Sequence, residues 1–178
     1  MSSKKAKELA SLVWPKEDVE GIENLADDLG NLFFGKAIPN PKTGVLEHNV
    51  GGFWDRFPQY NETNLPETDL DALEHYYGQA LAQHRYGTMP ALLAGLFNEV
   101  RGTYRGNRVE GTIVDLINNF SALSPDFTGE QEKYVNIVDS LISNPNYTPT
   151  NNQLQNLINH ALEWTVDPPE REMYGRKK

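Results

Sequence analysis

The stretch Asp69-Leu-Asp-Ala-Leu-Glu-His-Tyr-Tyr-Gly-Gln-Ala-Leu-Ala-Gln-His-Arg-Tyr-Gly87 decides the fold class. Leu70, Leu73, Tyr77, Ala80, Leu81 and His84 recur at three- and four-residue steps, which is the spacing of one helix face. The pattern ends at Tyr86-Gly87. At 100° per residue, Asp71, His75, Gly78, Gln79, Ala82 and Tyr86 form a second stripe roughly opposite the Leu73/Tyr77 face. Asp71 and His75 are four apart, so the carboxylate can accept from the imidazole and raise its basicity. Gly78 and Ala82 have almost no side chain and let a second helix approach closely, which would bury the pair.

The same periodicity runs outward in both directions. Upstream, Ser3–Val13 reads as a short helix interrupted at Trp14-Pro15. From Lys16, Val19, Ile22, Leu25, Ala26, Leu29, Leu32 and Phe33 make an apolar stripe that Gly35 ends. Downstream, Pro90 opens a helix with Leu92, Leu93, Leu96, Phe97 and Val100 apolar, running to about Arg101. The next, Val109–Phe120, places Val109, Ile113, Leu116, Ile117 and Phe120 on one side. Thr128 with Gln131 forms a capping box for a helix that turns Tyr134, Ile137, Val138, Leu141 and Ile142 inward. Thr150 caps a last helix through Leu154, Leu157, Ile158, Ala161, Leu162 and Trp164, stopped by Val166-Asp-Pro-Pro. No window alternates with a period of two. The reading is one all-α domain over residues 1–166, a compact bundle of about six or seven helices, with a polar tail at 167–178.

Residues 36–66 break the rhythm. Pro39, Pro41, Pro58, Pro66, Gly44, Gly51 and Gly52 interrupt any regular element, so the segment is expected to be irregular. Yet Val45, Leu46, Val50, Phe53, Trp54, Phe57 and Tyr60 lie within it, too apolar for a linker. Two arrangements fit. The segment wraps its aromatics onto the helical core, or it is an arm whose Val45, Val50, Phe53, Trp54, Phe57 and Tyr60 dock on a neighbouring subunit.

Composition narrows the function classes. The 178 residues are 38% hydrophobic and 23% charged, enough to bury a core without disulfides or metal. With 16 Lys+Arg against 25 Asp+Glu the formal charge is −9, so nucleic acid is not expected as the main partner. The chain has no Cys, which excludes disulfide frameworks, Cys-based zinc sites and thiol catalysis. No stretch approaches the ~20 apolar residues of a membrane helix, and the start of the chain does not read as a signal peptide. Phosphate-loop, GxSxG, GxGxxG and HExxH signatures are missing.

Three features carry candidate chemistry. Leu92, Leu96 and Glu99 fall on one line, so Glu99 is expected inward or at a helix crossing, paired with His75, His84, Arg85, Arg101 or Arg105. Asp71, His75 and Glu99 can then meet across a helix interface. They form either a polar network that fixes helix register or a divalent-metal or acid/base site. Arg101, Arg105 and Arg108 flank Gly102, Tyr104 and Gly106, as a phosphate-contacting loop or a solvated turn. His48 and His160 have no partner that the spacing identifies.

The residues Asp71-x-x-x-His75, Leu81-Ala82, Tyr86-Gly87 and Glu99 resemble a pattern in helical domains of phages and bacteria, over roughly residues 69–101. In general character, with no Cys, many Asn and a long aromatic segment, the chain is similar to small virion-associated proteins of tailed phages. That resemblance implies a structural or DNA-delivery role in a particle, located in the virion or in host cytoplasm before assembly, and it brings no catalytic residues. The functional expectation is a non-enzymatic structural or interaction protein, capsid-, tail- or ejection-associated, that docks on partner subunits or on itself without cofactor or metal. The alternative is a metal-dependent or acid/base hydrolase using Asp71, His75 and Glu99.

Overall fold

A computed structural model describes residues 15–39, 46–104, 109–123 and 129–166. Side chains are described at these positions except 16, 37–39, 46–49, 97–104 and 109–111. The described helices are α1 (Lys16–Phe34), the single-turn α2 (Phe53–Arg56), α3 (Glu67–Tyr86), α4 (Thr88–Tyr104), α5 (Val109–Ser121), α6 (Gly129–Ser143) and α7 (Asn151–Trp164). The protein is an all-α bundle. The expected helix at Ser3–Val13, Thr128 and the tail at 167–178 lie outside the described residues.

The stretch that decides the fold class is also its centre. Helix α3 packs against α1, α4, α5, α6 and α7. Leu70, Ala72, Leu73, Tyr76, Tyr77, Gln79, Ala80, Leu81 and Ala82 are all buried, so α3 is covered nearly all round. Around it lie Leu25, Leu29, Leu32 and Phe33 of α1, Val135, Val138 and Leu141 of α6, and Leu154, Leu157 and Ile158 of α7. At Gly78 a Cβ would stand 3.2 Å from Leu29 Cδ1, so the helix that approaches there is α1, not the one that meets His75. Buried Tyr77 donates its hydroxyl to the Leu157 carbonyl at 2.7 Å. The Thr150 cap is present in full, with Thr150 Oγ1 accepting from Gln153 N at 3.3 Å and Gln153 Oε1 accepting from Thr150 N at 2.8 Å.

Residues 36–66 are more regular than the sequence reading allows. Strands β1 (Lys36–Pro39) and β2 (Leu46–Val50) pair antiparallel, Lys36 opposite Val50 and Ile38 opposite His48, with an irregularity between Ile38 and Pro39. A two-stranded ribbon is held by its backbone and needs no alternating apolar face, so a search for period two misses it. Proline at the irregular end agrees with its exclusion from ladder interiors. Gly35, at φ +78°, starts the ribbon, and a Cβ there would lie 2.7 Å from the Val50 carbonyl oxygen. A Cβ on Gly52 would likewise lie 2.8 Å from the Gly35 nitrogen, so the base of the ribbon closes backbone to backbone.

The aromatics that follow wrap the core. Phe53 is fully buried, and Phe57 and Tyr60 nearly so. Phe53 stacks on Phe33 at 5.8 Å and meets Phe57 at 4.8 Å. Trp54, half-buried, donates Nε1 to the Leu65 carbonyl at 3.1 Å. Arg56 donates to the Leu141 carbonyl at 3.0 Å, supplying a cation that the last turn of α6 lacks. Gln59 Nε2 reaches Asn151 Oδ1 at 3.1 Å, at the start of α7. These contacts correct the docking-arm reading for Phe53, Phe57 and Tyr60, whose apolar surface is already used inside the chain. Val50 alone of the named set is exposed, and the Val45 side chain lies outside the described residues.

Helix α5 is turned against expectation. An apolar face ordinarily packs inward. Here Ile113, Ile117 and Phe120 are 51%, 41% and 52% exposed, whereas Val114, Asp115, Asn118, Asn119 and nearby Ala122 are buried. Among the described side chains of α4, Ala91 is buried, Leu92 is partly buried and Leu96 is exposed.

The wrapping strap makes a measurable prediction. Phe53→Ala should cost about 3–5 kcal/mol in urea unfolding, the range of buried Phe truncations. Val50→Ala should stay within about half a kcal/mol. A small effect at Phe53 would return that side chain to a partner-facing role.

Candidate functional site

Asp71, His75 and Gln79 stand four residues apart on one face of α3, one above the other. The buried side of α5 opposes them with Asp115 and Asn119, also four apart. The rungs meet. His75 Nε2 lies 3.6 Å from Asp115 Oδ1, with side chains 15% and 9% exposed. His75 Nδ1 lies 3.3 Å from Asn119 Oδ1. A ligand-type atom from each of Asp71, His75 and Asp115 falls within 4.8 Å of the other two.

Helix α4 closes the cluster through a glycine. A Cβ on Gly95 would stand 2.6 Å from Gln79 Oε1 and 3.4 Å from Asn119 Nδ2. The bare backbone therefore makes room for two amide side chains in a buried layer. Gln79 is 5% exposed, and its Nε2 finds no hydrogen-bond partner among the described residues. Such a group is costly to bury, by roughly 1–3 kcal/mol.

Asp71 and His75 come together as their spacing requires. Glu99 lies within α4, four residues after Gly95, but its side chain is outside the described residues. Among the described residues Asp115 is a further carboxylate that meets His75. The signal for it was Asp115 beside Asn118 and Asn119, a polar side directly opposite Ile113, Ile117 and Phe120. Periodicity divides a helix into two faces, and it is the neighbour that chooses between them. The side chains of Arg101, Arg105 and Arg108 lie outside the described residues.

A second buried polar network sits on another side of α3. His160, for which spacing named no partner, has Nε2 3.2 Å from the Tyr76 hydroxyl. Gln131 Nε2 donates to that hydroxyl at 3.1 Å and to the Ala122 carbonyl at 3.0 Å. Gln131 is buried and its Nε2 serves the core, while the capping box expected with Thr128 lies outside the described residues. Burial pushes the Tyr76 phenol up to about 12, against the opposing Gln131 hydrogen bond. Tyr76 thus keeps its proton and accepts from Gln131, with His160 Nε2 on its other side. Burial also holds His160 below its ordinary value of 6.5, opposed by Glu130 and Glu163. The arrangement ties α3, α6 and α7 together, with Tyr76 and Gln131 buried and His160 partly exposed.

No protein-family model, curated protein or solved structure matches the chain.

The His160 network has a pH signature. Its folded-state pKa lies below the unfolded 6.5, so the unfolded chain binds more protons between the two values. The stability contribution is complete above pH 6.5 and is lost as the pH falls through that window. His160→Gln should therefore show a smaller loss of urea-unfolding stability from pH 7.5 to about 5 than the wild type. Equal losses would mean that His160 titrates normally.

Proposed function

We propose that this chain is an interaction protein that docks on other protein subunits through the outer face of α4 and α5. One observation carries this reading. Helix α5 buries Asp115, Asn118 and Asn119 and leaves Ile113, Ile117 and Phe120 outside, and Leu96 and Met89 of α4 are exposed as well. Helices α4 and α5 pack together. Large contiguous apolar patches on a soluble protein mark contact sites, and Phe, Ile and Leu at their centre supply the energy.

The docking surface thus moves from the 45–60 segment to α4–α5, while the class of function stays a non-enzymatic structural or interaction protein. The setting favoured by the sequence resemblance is the virion of a tailed phage. The second reading, a hydrolase, is supported by the meeting of His75 with two carboxylates, now with Asp115 beside Asp71.

Two measurements test the docking face. Ile117→Lys and Phe120→Lys should leave stability within about 1 kcal/mol, because neither side chain is in the core. In isolation the face should pair with a second copy, so light scattering should give a mass that rises with concentration above 20.1 kDa, and Phe120→Lys should return it to the monomer value. A strict monomer at every concentration, with large destabilisation in both variants, would show that the face is used within the chain.

A further inference from the structure

We infer that Asp71, His75 and Asp115 form a binding site for a divalent transition-metal ion such as Zn²⁺. The inference is independent of the docking face and survives its failure. It rests on donor type, tautomer and rigidity. Two carboxylates and one imidazole form a mixed oxygen–nitrogen set that suits zinc and its neighbours better than magnesium or calcium. All three ligand atoms lie within 4.8 Å of one another.

In the tautomer that donates from Nδ1 to Asn119 Oδ1, at 3.3 Å, Nε2 is the nitrogen left to ligate. Nε2 lies 3.6 Å from Asp115 Oδ1, a separation that one ion can bridge. Tetrahedral ligands with bonds of about 2.1 Å stand roughly 3.4 Å apart, close to the separation found. A ligating histidine held through its second nitrogen by an amide oxygen is the usual outer-shell arrangement of metal sites.

The scaffold is rigid on both sides. Asp71 and His75 share one turn of α3, at the four-residue spacing that brings two ligands of a zinc-binding helix onto one face. Asp115 comes from α5, which is fixed against α3 by its buried polar side. Asp71 and His75 are only half-buried, which gives an ion a way in. Three protein ligands leave a fourth position for water or another small donor.

The experiment is a calorimetric titration of the full, tag-free chain after chelator treatment, with Zn²⁺ as the probe. One Zn²⁺ per chain should bind saturably and raise the melting temperature. His75→Gln, Asp115→Asn and Asp71→Asn should each weaken binding by at least about tenfold, with the fold checked by circular dichroism. Asp71→Asn, at the more open end, keeps the test valid if Asp115→Asn does not fold. Mg²⁺ in about hundredfold excess should not displace Zn²⁺, because it gains little from imidazole. No saturable binding by folded wild type at ~100 µM Zn²⁺ would overturn the site and leave a polar network. Undiminished binding in folded variants, or ready displacement by Mg²⁺, would overturn it equally.

Discussion

Helix α3 has to be surrounded, and one of its sides is polar. That constraint organises the rest of the bundle. Helices α1, α4, α5, α6 and α7 pack on α3, and much of its surface is satisfied by apolar packing and by tyrosine hydroxyls. The stripe of Asp71, His75 and Gln79 cannot be covered by leucines without stranding its polar atoms, which costs several kcal/mol for a charged group. Helix α5 meets the need by turning Asp115 and Asn119 inward. Having done so, it can only place Ile113, Ile117 and Phe120 outward, since they lie on its opposite side. The candidate site and the exposed apolar face are two results of the same rotation of one helix.

Much of this was legible in the residues and some was not, for definite reasons. Helix positions followed from three- and four-residue spacing, and the Gly35 stop and Thr150 cap from local backbone chemistry. The Asp71–His75 pair followed from helical geometry alone. The role of Asp115 did not, because the side on which α5 packs is set by a helix some forty residues earlier. The β1–β2 ribbon left no trace in the pattern of apolar residues. The Gln131 amide shows a related limit: spacing does not reveal that its Nε2 meets the Tyr76 hydroxyl inside the core.

The two buried polar networks divide their labour. Tyr76, Gln131 and His160 bond in a chain whose first two members are buried, the kind of polar network that fixes one packing among several apolar ones. The His75 cluster is half-open and rich in negative charge. A molecule that needed only helix register could have used the first kind twice.

The strap from Phe53 to Tyr60 alters how such a protein reaches its native state. Helical bundles fold fast because most of their contacts are local. Here Arg56 bonds a carbonyl 85 positions later, Gln59 an amide 92 later and Tyr60 a side chain 95 later. None of those bonds can form before α6 and α7 are in place, and each closes a long loop whose entropy must be offset at once. Closure of the strap is therefore a late event, and its release an early one in unfolding. The end of α6 loses its cation each time the strap lifts. A segment that resembles surface decoration in the finished structure is, in time, the latch of the fold.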